Sequence, residues 1–299
     1  TGWGWATMEQ ENAGVRINSS AFERQIVEPV DSSYVITVIF PKAAGDVHSY
    51  LSIINNSFTR IGRIFNDSRD GDVREHTVLV TAGLAGNTRS EGTRVYPDPS
   101  ALVSIFVRTP DHSRAEELFI HAVAHLYNRQ REDLLAYQKL QTPFADEDWQ
   151  EMEATWAELA FNTTPGGREG RLKYLYNVHA AVVSKNFELI TEPPFSDKAT
   201  FEKIVPRIAG PHATYLDSQY GHYILAPFVM VAIDTLLQEG TSGESVETLL
   251  TEIHKNPASF FEKLEAILSV DDMRRVRSWI SGESRVPWYL IESASQYYD

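Results

Sequence analysis

Two histidines four positions apart are the side chains in this sequence best placed to hold a metal ion. His121 and His125 lie in the largely apolar segment LFIHAVAHLYNR, which follows a strand-like stretch. On an α-helix, residues four apart share one face, so both imidazoles can converge on one ion. The chain contains no cysteine, so His, Asp and Glu supply its candidate metal ligands. The pair predicts a divalent-metal site. The structural alternative is two ordinary helix residues, one solvated and one hydrogen-bonded.

The residue after the first histidine decides what such a site can do. The run HAVAH resembles the HExxH helix of zinc peptidases, with Ala122 where the glutamate stands. In that motif the glutamate is the general base that takes a proton from the attacking water and later delivers it to the leaving amine. Alanine cannot transfer a proton, whereas zinc ligation needs only the imidazoles and a third ligand. The resemblance therefore implies Zn²⁺ as the cofactor and loss of the base.

A third ligand is implied by the downstream run WQEMEATWAELAF. Here the chain is similar to the gluzincin metallopeptidases, which include thermolysin-like and aminopeptidase-N-like enzymes. In that group a second helix supplies a zinc-binding Glu in a pattern close to E-G-x-A-x-aromatic. Glu151, Ala154 and Trp156 match the pattern, and Met152 departs from it. The resemblance implies Glu151 as the ligand. Glu158, seven residues on and on the same face, is the alternative, and a solvated acidic face is the structural alternative.

The same resemblance implies a donor that stabilises the oxyanion of the tetrahedral intermediate. It is a Tyr on a later helix in aminopeptidase-like members and a His in thermolysin-like members. In this sequence Tyr220, His222 and Tyr223 precede an apolar helix, and Tyr220 is the preferred candidate. Aromatic residues at a helix start also pack or cap, which is the structural alternative. Thr155, one turn after Glu151, is expected to hydrogen bond to a metal ligand.

Three explanations account for Ala122. In the first, alanine is an engineered substitution that inactivates an enzyme. In the second, it is a natural loss that leaves a pseudopeptidase able to bind metal or peptide. In the third, the resemblance is false and the protein is a helical binding module. We favour the first because the rest of the site is intact. The expected function is a zinc-dependent metallopeptidase that hydrolyses peptide bonds by metal-activated water, in a form inactivated at this position. The alternative is a natural pseudopeptidase or peptide-binding scaffold. Cleavage at a terminus or internally is left open.

The composition is that of a folded acidic protein. The 299 residues include 14 Phe, 13 Tyr and 6 Trp, and 27 basic against 41 acidic residues give a net charge of −14. An acidic chain repels phosphate backbones, so we expect no nucleic-acid partner, and the resemblance implies a peptide or protein substrate. The longest apolar run, 224–233, is too short to span a membrane. The Thr-Gly-Trp start and the lack of cysteine suggest a secreted, periplasmic or extracellular protein without its leader or anchor.

The elements that must position these residues change character along the chain. Hydrophobic patterns predict strands over 34–40, 77–84 and 101–107, a helix over 48–65 and a loop over 85–100. Helices follow from residue 111, over 146–161, 172–184, 200–205, 220–238, 246–254, 257–268 and 271–278. Strands followed by helices predict an α+β fold with a cleft between two lobes, an α/β lobe over 1–110 and a helical lobe over 111–299. The resemblance implies a zincin-like catalytic unit in which strand 101–107 is the sheet edge that pairs with substrate. An interior strand is the alternative.

The other histidines have no partner at metal-binding spacing. We interpret them as surface or packing residues: His48, His76, His112, His179, His212 and His254.

Overall fold

The computed structural model describes most of the sheet, the two candidate metal helices and the C-terminal helices. The described residues are 20–30, 32–42, 47–67, 73–80, 92–94, 102–106, 112–128, 146–163, 168, 170, 172–173, 226–240, 243–255, 260–280, 284 and 286–294. Their strands are β1 Phe22–Val27, β2 Tyr34–Pro41, β3 Arg74–Val80, β4 Gly92–Arg94 and β5 Leu102–Phe106. Their helices include α1 Val47–Ile64, α2 His112–Asn128, α3 Asp146–Phe161, α4 Ala226–Glu239, α5 Val246–Lys255, α6 Phe260–Ile267, α7 Val270–Ile280 and α8 Trp288–Ala294.

The described strands form one mixed sheet in the order β1-β2-β3-β5-β4. The central strands β2, β3 and β5 are parallel, and the two outer strands are antiparallel to their neighbours. Alternate residues of β2, from Tyr34 to Phe40, are buried, because successive side chains of a strand point to opposite faces. Helix α1 connects the parallel strands β2 and β3, as a crossover between parallel strands requires.

The sheet edge next to the candidate metal helices differs from the expectation. Strand β5, predicted over 101–107, lies between β3 and β4, so its backbone groups are paired on both sides. Strand β4 lies inside the expected loop 85–100 and is the outer strand on this side of the described sheet. A three-residue strand containing glycine and arginine has no apolar alternation, which is why the sequence pattern did not indicate it.

The end of α1 is joined to both the sheet and α2. Asn66 takes a positive φ of 51°, and its N–H donates to the carbonyl of Arg63, while the N–H of Asp67 donates to the carbonyl of Gly62. This is a Schellman motif, which satisfies the last carbonyls of a helix. The Asp67 carboxylate then accepts hydrogen bonds from the Tyr127 hydroxyl of α2, at 2.7 Å, and from a backbone N–H at the start of β2. Burial, followed by the charge of Asp67, raises the pKa of Tyr127.

One cluster of buried hydrophobic side chains joins the sheet, α1, α2 and α3 to the C-terminal helices. It includes Phe58 of α1, Phe119 of α2, Trp156 of α3 and Phe228 of α4, all almost fully buried. The division into lobes at residue 110 stays a prediction.

The predicted helix over 146–161 is found with those bounds, and the strand predicted over 34–40 and the helix predicted over 48–65 are found within one residue at each end, whereas β1 was not predicted. The predicted helices over 172–184 and 200–205 lie almost wholly outside the described residues, as do residues 220–225 of the next. Within the described part of the chain, no helix is both long enough and apolar enough to cross a bilayer.

Candidate metal centre

Helix α2 carries the two histidines inside the protein. From Phe119 onward almost every residue of this helix is buried, because it packs against α1, α3 and the sheet. His125 is 4% exposed, and the His121 side chain is 12% exposed. Ala122 lies between them and is fully buried. Position 122 therefore offers a methyl group and no polar atom.

The two imidazoles meet through their Nε2 atoms. These nitrogens are 3.0 Å apart, and the rings are nearly perpendicular, at 82°, with centroids 4.5 Å apart. Two nitrogens bound to one tetrahedral zinc ion at about 2.0–2.1 Å lie about 3.3 Å apart. The pair is therefore close to the spacing that two ligands of one ion require. The same nitrogens can also share one proton in a hydrogen bond when one ring is the donor tautomer.

Helix α3 places a carboxylate against the first of these rings. Glu158 Oε1 lies 2.6 Å from Nδ1 of His121, the nitrogen that does not face His125. A carboxylate at Nδ1 favours a proton on that nitrogen, which leaves the lone pair of Nε2 free for an ion. The predicted face of α3 thus does reach the histidine helix, at Glu158.

A second polar contact joins the same two helices at one end. The Glu116 carboxylate near the start of α2 accepts hydrogen bonds from the backbone N–H of Thr163, at 3.0 Å, and from its hydroxyl, at 2.6 Å. Thr163 lies two residues after the end of α3. Glu116 and Thr163 therefore hold the end of α3, with the turn that carries Glu158, against the start of α2.

The last carbonyl groups of α3 are capped by arginines. Arg168 donates from Nε to the carbonyl of Leu159 at 2.7 Å and from Nη2 to that of Asn162 at 3.0 Å. Arg60 of α1 donates to the carbonyl of Phe161 at 3.0 Å. Cations at a helix C-terminus satisfy free carbonyls and complement the helix dipole. The helix end beside Glu158 is therefore fixed from two sides.

The opposite end of the helix pair contains a buried carboxylate that the sequence did not single out. Glu153 of α3 accepts a hydrogen bond from Nδ2 of Asn128 at the end of α2, at 3.3 Å, and lies 3.1 Å from Nε2 of His254 in α5. All three side chains are buried. His254 is a packing residue, as predicted, but its pairing with a carboxylate was missed. The partners are 101 residues apart, so no local spacing signals them.

The remaining predicted site residues lie outside the described part of the structure. These are the side chain of Glu151 and the residues Tyr220, His222 and Tyr223. Thr155 is buried, and its hydroxyl donates within α3 to the carbonyl of Met152. Its expected bond to a metal ligand stays a prediction.

Among the described side chains, no group of three His, Asp or Glu is arranged to hold a metal ion. The described part of the candidate centre is thus two imidazoles and a supporting carboxylate.

Comparison with known proteins gives a result only at the level of fold. No protein-family model matches the chain, and no curated protein matches its sequence. The fold is similar to the crystal structure of an aminopeptidase N family protein from Idiomarina loihiensis, with a TM-score of 0.56 and 9% identity. The match covers 91% of this chain and 49% of that one. The crystal structure of an M1 zinc metallopeptidase from Deinococcus radiodurans matches with a TM-score of 0.43 and 14% identity. That match covers 89% of this chain and 53% of the other.

The chain therefore spans about half the length of these two proteins. The similarity to the aminopeptidase N family protein confirms the predicted fold class. This chain has an α+β fold similar to that of the aminopeptidase N family protein over the matched part.

Proposed function

We propose that this chain is a zinc-dependent metallopeptidase in a form inactivated at Ala122. The ligands would be His121, His125 and a carboxylate of α3, which is Glu151 in the motif that the sequence resembles, with Glu158 as the alternative. The observation that carries the proposal is the geometry at the first histidine. Its Nε2 faces that of His125 at 3.0 Å while Glu158 lies against its Nδ1.

The residues present fit a zinc ion of the catalytic type. Such sites use three protein ligands, commonly two imidazoles and a carboxylate, and keep one position for water or substrate. His121 and His125 supply the imidazoles at close to ligand spacing. Glu158 is better suited to orienting His121 than to binding the ion, because its oxygen lies against the far nitrogen of the ring. Glu151, whose side chain lies outside the described residues, is the third ligand that the sequence motif implies, and Glu158 is the alternative.

Each part of the site has a separate chemical task. A zinc ion held by these residues would polarise the substrate carbonyl and make water a stronger nucleophile. Glu158 fixes the tautomer of His121. Tyr220, with His222 and Tyr223 as alternatives, donates a hydrogen bond to the developing oxyanion. The alanine at position 122 cannot transfer a proton, so we expect this chain to hydrolyse almost no peptide.

The substrate is a peptide or protein segment in extended form. An extended peptide can add to an exposed sheet edge through backbone hydrogen bonds. The outer strand on the metal-helix side of the described sheet is β4, so we assign the edge role to β4 in place of β5. The acidic net charge of −14 argues against a nucleic-acid ligand.

Zinc titration tests the proposal directly. Protein stripped with a chelator and reloaded is expected to take up one zinc ion per chain, measured by calorimetry and elemental analysis. Truncating His121 or His125 to alanine is expected to abolish that stoichiometric binding, because each removes a ligand. A chain that takes up no zinc, or variants that bind it as before, would contradict the proposal.

The supporting carboxylate gives a smaller, graded effect. Glu158→Gln keeps the shape of the side chain and removes its charge, so it weakens the control of the His121 tautomer. We expect zinc affinity to fall by about 10- to 100-fold, the usual effect of losing such a partner. The control is Glu23→Gln on β1, where the carboxylate is exposed. Equal affinities for the two variants would show that Glu158 does not support the metal.

A further inference from the structure

We propose that Glu153 is a positioning residue that holds α2, α3 and α5 in the register needed by the metal centre. The inference rests on the proposed function, since it concerns the same site. Glu153 is expected neither to bind the ion nor to touch substrate. Its role is to set where α3 presents its other carboxylates to the histidines of α2.

The contacts of Glu153 come from two different helices. Its Oε2 accepts a hydrogen bond from Asn128 of α2, and its Oε1 lies 3.1 Å from Nε2 of His254 of α5. With the carboxylate ionised, His254 donates to it. Each carboxylate oxygen therefore has its own partner from its own helix. A change in the position of α3 relative to either helix breaks one of these bonds.

Burial makes these bonds costly to break. Glu153 is 3% exposed and His254 is 2% exposed. A buried carboxylate without a partner is strongly unfavourable, so the side chain tolerates few other arrangements. The imidazole is itself held in place, because its ring stacks on Phe65 with centroids 4.0 Å apart and planes at 30°. Phe65 directly follows α1, so the arrangement is tied to that helix as well.

The place of these contacts along the helix pair links them to the metal. Asn128 is seven residues, or about two turns and 10 Å, from His121 on the same face of α2. The contacts Asn128–Glu153 and His121–Glu158 run in opposite directions along the two chains, so α2 and α3 are antiparallel. Glu116 and Thr163 already join the helix pair at the His121 end. Glu153 adds a contact at the other end, about 10 Å from His121, and it ties both helices to α5 through His254.

Glu153 and Glu158 lie on different faces of α3. Residues five apart on a helix differ by about 140° around its axis, and the two carboxylates have different partners. This separation lets one helix support His121 with one carboxylate and anchor to α5 with the other.

A set of four variants separates positioning from simple stabilisation. His254→Phe keeps the ring stacked on Phe65 and removes the donor to Glu153. His254→Gln keeps a donor near the position of Nε2. The double change Glu153→Met with His254→Phe removes both polar groups, so no unpaired charge stays buried. Asp234→Asn weakens the cap that Asp234 provides to the backbone of Val246, and so destabilises the start of α5, at the opposite end of that helix from His254.

Three quantities are measured on each variant of the 299-residue chain: zinc affinity, the visible spectrum of the Co²⁺-loaded protein, and the free energy of unfolding without metal. We expect His254→Phe and the double variant to bind zinc about tenfold more weakly, with a changed Co²⁺ spectrum. His254→Gln restores both readouts. Asp234→Asn lowers stability and leaves both metal readouts unchanged. A double variant that regains stability and still binds zinc weakly is the signature of positioning.

Two results have different consequences. If the double variant binds zinc and gives the Co²⁺ spectrum of the unchanged chain, Glu153 is only structural and this inference is wrong, while the proposed function stands. If the unchanged chain takes up no zinc, the proposed function is wrong and the inference falls with it. Should His254→Phe fail to fold, the double variant and His254→Gln still decide the matter.

Discussion

Replacing Ala122 with glutamate is expected to raise the rate of peptide hydrolysis by about 10²- to 10⁴-fold, the usual contribution of a general base. The substitution restores the residue that follows the first histidine in the motif, where a carboxylate accepts the proton of the attacking water. The measurement is kcat/KM on a mixed peptide library with zinc-loaded protein. The gain should vanish when a chelator removes the metal.

The matched control is Ala122→Gln. Glutamine has nearly the same volume as glutamate and cannot act as a base, so it is expected to give no gain in hydrolysis. Position 122 is fully buried, so both variants should lose some stability, and folding is checked for each before the assay. If the glutamate variant binds zinc and cleaves no peptide, the chain is a pseudopeptidase or a peptide-binding scaffold on a peptidase fold.

The second large effect concerns His76 and the dependence of stability on pH. His76 lies in β3, is 2% exposed, and sits about 6 Å from the rings of Tyr34 and Phe58. Burial lowers the pKa of His76 from 6.5 to about 4. The unfolded chain therefore binds a proton more readily than the folded chain between these values. The free energy of unfolding is expected to fall by about 3 kcal/mol as pH drops from 6.5 to 4, with no further contribution below.

Chemical denaturation of zinc-free protein from pH 4 to 8 measures this effect. His76→Phe keeps an aromatic ring among the same neighbours and removes the titrating group. Over that pH range the free energy of unfolding of the variant is expected to fall by about 3 kcal/mol less than that of the unchanged chain. The control is His48→Gln, an exposed position on α1, which should leave the pH profile unchanged. Identical profiles for the unchanged chain and His76→Phe would contradict the assignment.

The strongest local patterns could be predicted because they depend on near neighbours. The alternation in β2 and the apolar spacing in α1 and α3 encode which face of each element is buried, and the structure has these elements with nearly the predicted bounds. The histidine pair is also local, since four residues on a helix place both rings on one face. The α+β class follows from the order of such elements.

The sheet edge and the polar contacts between helices could not be predicted in this way. Strand β4 has no apolar pattern of its own and exists because β5 offers it a backbone to pair with. The contact between Glu158 and His121, and that between Glu153 and His254, join residues far apart in sequence. Such pairs form only when packing of the core brings their helices together.

The sequence by itself therefore determined the elements and one half of the candidate centre, the two imidazoles on α2, because both depend on local periodicity. Only the tertiary structure decided which carboxylate of α3 contacts His121 and that Glu153 is anchored away from it. It alone also showed that His76 is buried without a hydrogen-bond partner for Nε2 among the described residues. Those contacts depend on how amphipathic elements pack against one another, and the spacing of residues along the chain does not determine that packing.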